Sequence, residues 1–161
     1  MTNLVSQYRS QAEELARTVA SCPAEAATWR PDEGQWSILE IAGHLADAEM
    51  IAAVRIRRIL TQDHPFLYGY QQEVWTRRLN HQARRLGEVT TRFRVLREAN
   101  ADLLDALSPA DWALTAQHDR MGVMTLEAWI VDYIEHTQKH LEQIARRAQD
   151  SPAAAAAPNE S

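Results

Sequence analysis

The chain has 161 residues, 45% of them hydrophobic, with a net charge of −5 and a pI near 5.7. That is enough for one globular core, which at this length buries roughly 70% of the unfolded surface, and it excludes a disordered chain. The acidic balance argues against a nucleic-acid binder, no segment approaches the ~20 apolar residues of a membrane span, and a single cysteine excludes an intramolecular disulfide.

Only 5 glycines and 6 prolines interrupt a sequence rich in helix formers, so the expected class is all-α. The N-terminus lacks a basic region followed by an apolar run, which leads to the expectation of a cytoplasmic protein. Cys22, before Pro23, has no basic partner nearby and reads as an inert thiol. Arg77, Arg78, Arg84 and Arg85, with Arg55, Arg57 and Arg58, read as solvated helix faces.

The first helix is expected from Asn3 to Ser21, where Leu4, Tyr8, Leu15 and Val19 recur at helical spacing. Pro23 ends it, and a loop follows to Trp36. The second helix begins at a capping box formed by Ser37 and Glu40, with Trp36 and Ile41 spaced for a hydrophobic staple. Ile41, Leu45, Ala48, Ala52, Ile56 and Ile59 mark its buried stripe as far as Thr61, and His44 lies beside that stripe.

Residues 62–86 carry Pro65, Gly69 and three aromatics, and read as a long crossover with a short helix near Gln71 to Leu79. His64 and His81, both in the crossover, are expected on the surface. The third helix, Gly87 to Leu107, has a seam of Val89, Phe93, Leu96, Asn100, Leu103 and Leu107, with Asn100 fixing register. Ser108 and Pro109 stop it, and a loop is expected from Asp111 to Met124. The fourth helix starts at the N-cap Thr125 and buries Leu126, Trp129, Ile130, Tyr133, Thr137, Leu141 and Ile144. The expected arrangement is an antiparallel four-helix bundle in one domain of residues 1–149, followed by a disordered tail, 150–161.

His136 and His140 are four residues apart on one helix face, close enough to share a metal. His44, from a core-facing stripe on another helix, is the candidate third ligand. Buried imidazoles without a cation would each need another hydrogen-bond partner. Three neutral ligands leave open positions for water or substrate, as in catalytic metal sites. Asp47, three residues after His44, and Asp132, four before His136, are candidate carboxylates for orienting the imidazoles. His118, Tyr133 and Trp129 are candidates for the pocket, with core packing the ordinary role of the two aromatics.

The segment Trp36 to Glu49, W-S-I-L-E-I-A-G-H-L-A-D-A-E, and the segment Gly122 to Ile144, containing E-H-T-Q-K-H, resemble the DinB-like superfamily (DinB/YfiT type). The third helix and the following S-P-A-D-W resemble it too. The resemblance implies an up-down-down-up four-helix bundle and a divalent metal, zinc or nickel, on His44, His136 and His140. It also implies a homodimer, and a small-molecule substrate with a low-molecular-weight thiol as cosubstrate. The activity it suggests is a metal-dependent enzyme, a thiol-dependent S-transferase. A metal-dependent hydrolase and a non-catalytic metal-stabilised binding module remain open alternatives.

Overall fold

Helix α1 (Thr2–Ala20) turns Val5, Tyr8, Ala12 and Leu15 inward at spacings of three and four, the signature of one apolar face on a helix. The computed structural model describes residues 2–155 and continues through α2 (Ile38–Thr61), β1 (Phe66–Leu67), α3 (Gln72–Arg78) and α4 (Leu86–Asp105). It then forms α5 (Pro109–Trp112), β2 (Thr115–His118), β3 (Gly122–Thr125), α6 (Leu126–Asp150) and α7 (Pro152–Ala155). The four long helices α1, α2, α4 and α6 make a four-helix bundle. Both α1 and α2 pack chiefly on α4 and α6, so α1 and α2 face one another across the bundle diagonal.

The start of α2 follows from its local chemistry. The Ser37 hydroxyl accepts from the Glu40 amide, and the Glu40 carboxylate accepts from the Ser37 amide at 3.0 Å. Trp36 and Ile41, the residues expected to form a staple, both belong to the cluster built around Leu15, Phe93 and Ile144. At α6, the Thr125 hydroxyl accepts from the Ala128 amide at 3.1 Å.

Four expectations are corrected. Residues 111–124 are not a loop: β2 and β3 form an antiparallel hairpin, and β1 joins β2 in parallel to make a three-stranded sheet at the bundle's end. Ala116 and His118 alternate inward along β2, and Gly122 takes a φ of +73°, a conformation glycine adopts without penalty, where the hairpin turns. The seam of α4 runs through Arg97 rather than Leu96, which is only half-buried. Arg55 is not on a solvated face; its guanidinium bonds Tyr133 Oη at 3.2 Å and the Tyr68 carbonyl at 2.7 Å. Residues 150–155 are not a disordered tail: α6 runs to Asp150, Ser151 is buried, and α7 packs against the 3₁₀ turn Ala24–Ala26. The rest of the expected tail, residues 156–161, lies outside the described residues.

At the centre of the bundle is a buried polar network. Arg97 Nε lies 2.9 Å from Glu49 Oε2, off the line of a hydrogen bond, while its Nη atoms donate to Gln11 Oε1 and Thr137 Oγ1. Asn100 donates to Glu49 Oε1 at 2.8 Å, and Tyr8 Oη donates to the same carboxylate. Each of the four long helices supplies a member, and Asn100, expected to fix register, is one of them.

Candidate metal centre

His44, His136 and His140 come together at the wall of the bundle. One ligand nitrogen from each lies within 4.8 Å of the other two. His44 Nε2 is 3.0 Å from His136 Nε2, and the His140 ring centroid is 4.9 Å from that of His44 and 4.6 Å from that of His136. His44 is buried; His136 and His140 are half-buried, so the cluster has one side toward solvent. The spacing of α6 brings its two histidines onto one face, and the capped start of α2 sets His44 opposite them.

Burial drives all three rings toward the neutral form. The His44 imidazole is pushed down to about 2, first by burial and then by the neighbouring His136 and His140. His136 is pushed down to about 3 by burial, with His140 and Arg97 adding to it. Burial lowers His140 as well, partly opposed by its hydrogen bond to Gln143. Neutral imidazoles are the form that ligates a metal.

The donor set passes a second test of fit. The 3.0 Å between two Nε2 atoms suits nitrogens that share a cation at about 2.0–2.1 Å each. Gln143 Oε1 lies 2.8 Å from His140 Nδ1 and accepts its proton, which leaves Nε2 as a lone-pair donor. The Tyr70 hydroxyl lies 3.4 Å from His44 Nδ1, on the ring's other side from Nε2. Trp36 forms a wall, with its ring centroid 5.0 Å from His44 and 6.3 Å from His140. Trp36 also lines a cavity of about 430 Å³, together with Arg30, Glu73, Arg77 and Asn80 among others; none of the three histidines lines it. Three imidazole donors suit a divalent cation, whether zinc, copper, iron or nickel.

The carboxylates are not where the sequence reading put them. Asp47 Oδ2 accepts from His81 Nε2 at 2.7 Å and makes no hydrogen bond to the ligand rings among the described residues. His81, expected on the surface, is 2% exposed. Asp132 is half-buried with its carboxyl pushed up by burial and by Glu135, and no hydrogen bond joins it to His136 among the described residues. His64 is exposed, as expected.

The three pocket candidates gather elsewhere, around Arg55. His118 Nε2 is 3.1 Å from Arg55 Nη2, and its ring meets Trp129 edge-on with centroids 5.2 Å apart. Trp129 and Tyr133 belong to the core cluster of α2, α4 and α6, and the Arg55 guanidinium lies 5.0 Å from the centroid of Trp129. None of the three is a member of the histidine cluster.

Sequence reasoning missed Gln143, Tyr70, His81 and the wall role of Trp36. Gln143 was findable, because it is three residues after His140 and therefore on the same helix face. Tyr70 and His81 reach the site only through the path of the crossover, which has no helical period to read.

Residues 7–144 match the sequence profile of the DinB superfamily, and the chain belongs to that superfamily. It is 25% identical over 149 residues to a protein of Oceanobacillus iheyensis named "putative metal-dependent hydrolase", covering 89% of this chain and 86% of that one. A Geobacillus thermodenitrificans protein of the same name is 24% identical over 141 residues, covering 87% of this chain and 79% of that one. The fold superposes on YfiT from Bacillus subtilis with a TM-score of 0.85 at 18% identity, covering 92% of this chain and 85% of that one. That structure is described as a probable metal-dependent hydrolase with an unusual four-helix bundle topology. No helix among the described residues is long and apolar enough to cross a membrane.

Proposed function

We propose that the protein is a metal-dependent enzyme acting on a small molecule, with His44, His136 and His140 as the ligands of one divalent cation and hydrolysis as its reaction. The observation that carries this reading is the convergence of three neutral imidazoles, two of them with Nε2 atoms 3.0 Å apart. The names of the Oceanobacillus and Geobacillus relatives support it.

A divalent cation held by His44, His136 and His140 would supply Lewis acidity and make a water or thiol easier to deprotonate. The chain's own residues prepare that site. Gln143 holds the Nδ1 proton of His140 and so keeps the opposite nitrogen free. Trp36 flanks the rings, and the cavity it also lines offers guanidinium, amide and carboxylate groups to the part of a substrate away from the reacting bond.

A second reading, transfer to a low-molecular-weight thiol, is favoured by one feature. No carboxylate among the described residues hydrogen-bonds the three rings, and Asp47 is already held by His81. A site without such a base suits a nucleophile that a metal alone ionises, and a thiol is deprotonated more readily than water.

The test is turnover of a panel of esters, amides and electrophiles by zinc- or nickel-loaded protein, with and without added thiols. Hydrolysis needs no thiol and is lost in His140→Ala; dependence on a thiol selects the second reading. Equal rates for the parent and His140→Ala across the whole panel, with metal bound to the parent, would leave a non-catalytic metal-stabilised module.

A further inference from the structure

Asp47 and His81 form a buried pair that the metal ligands do not account for. Their side chains are 3% and 2% exposed, and Oδ2 and Nε2 are 2.7 Å apart. The other ring nitrogen, His81 Nδ1, is buried with no hydrogen-bond partner among the described residues. A ring buried with one nitrogen orphaned is costly, so something must favour its placement there.

The ring lies against α2 at the residue before His44. A Cβ built on Gly43 would stand 2.6 Å from His81 Cγ and 2.9 Å from Nδ1, closer than real side chains approach. Gly43 and Asp47 are four apart, so they share one face of α2, and His81 spans that face. His44 follows Gly43 directly. The crossover that carries His81 also carries Tyr70, whose hydroxyl is 3.4 Å from His44 Nδ1. One crossover therefore meets α2 at three points within five residues of the helix: Gly43, His44 and Asp47.

Taking the three-histidine metal reading as given, we propose that Asp47, His81 and Gly43 are positioning residues that seat the crossover on α2 and thereby set the ring of His44 for the metal. Asp47 acts through His81, not on a ligand imidazole. Gly43 is required because any side chain there displaces the His81 ring. The placement differs from direct orientation of an imidazole by a carboxylate: here the carboxylate fixes the crossover, which bears the tyrosine neighbour of the ligand.

The test uses the full chain and cobalt(II) as the probe. Affinity is measured by competition with a chelator, the coordination geometry by the visible cobalt bands, and the stability of the metal-free protein by thermal unfolding. His81→Ala and Gly43→Ala should each weaken cobalt binding by about tenfold or more and alter the cobalt bands. Asp47→Asn, which keeps an acceptor oxygen, should recover most of the affinity lost in Asp47→Ala. The double variant Gly43→Ala/His81→Ala should bind no more weakly than His81→Ala, because the crowded ring is gone. If His81→Ala does not fold, the comparison of Gly43→Ala, Asp47→Ala and Asp47→Asn carries the same test.

Variants that lose thermal stability yet keep parental cobalt affinity and bands when folded overturn the proposal and leave the pair a packing device. Additive losses in the double variant overturn the role of Gly43. A parent protein that binds no cobalt overturns the metal reading itself, an outcome seen before any variant is compared.

Discussion

The Arg97 guanidinium and the Glu49 carboxylate pair at 2.9 Å, with each side chain only 1% exposed. Arg97 also lies over Tyr8, its Cζ 3.8 Å from the ring centroid, and over Phe93 at 4.7 Å. The pair joins α2 to α4 one helical turn beyond the segment that carries His44. Through Thr137, Arg97 also reaches the stretch of α6 between His136 and His140.

Removing one member of a buried ion pair leaves the other charged and unpaired. Arg97→Ala should therefore destabilise the fold by about 3–5 kcal/mol. Glu49→Gln should cost a comparable amount: its amide oxygen still accepts from Asn100 and Tyr8, but its NH2 group then faces an Arg97 guanidinium left charged and unpaired. Urea unfolding of both variants checks this; equal stability of either variant and parent would show that the pair carries no net energy.

Glu40 predicts how one part of the stability varies with pH. Burial pushes its carboxyl up, but the hydrogen bonds from Arg30 and from Ser37 outweigh this and hold it below the usual 4.5. A depressed folded-state value means the contribution is full above 4.5 and is lost as pH falls through the folded-state value. Glu40→Gln should therefore be less stable than parent at pH 7, and the gap should narrow toward pH 3. Chemical unfolding of the two proteins at several pH values measures that gap, and a gap that stays constant with pH would contradict the assignment.

Gln143 predicts metal affinity without touching the metal. Gln143→Leu removes the acceptor that fixes the His140 tautomer and should weaken zinc binding by about 10–100-fold. Chelator competition on folded protein measures it. An unchanged affinity would mean that the 2.8 Å contact plays no part in ligation.

The legible parts of this protein were those written in a local period. The capping box of α2, the stripes of α1, α2 and α6, and the pairing of His136 with His140 follow from spacings of three and four in the sequence. His44 was legible because it sits beside such a stripe. Arg97 was not, because a buried arginine looks like a solvated one until Glu49 arrives from another helix. The sheet was missed because its strands are two to four residues long, too short for alternation to stand out. His81 and Tyr70 were missed because only the three-dimensional course of the crossover delivers them to α2. Asp47 was identified as important, but its partner is His81 rather than a ligand.

X-ray absorption spectroscopy of zinc-loaded protein tests the central claim most directly, because imidazole ligands leave a countable outer-shell signature. Three imidazole nitrogens at about 2.0–2.1 Å are expected in the parent, with two in His136→Ala. A first shell with one imidazole or none, unchanged by His136→Ala, would contradict it.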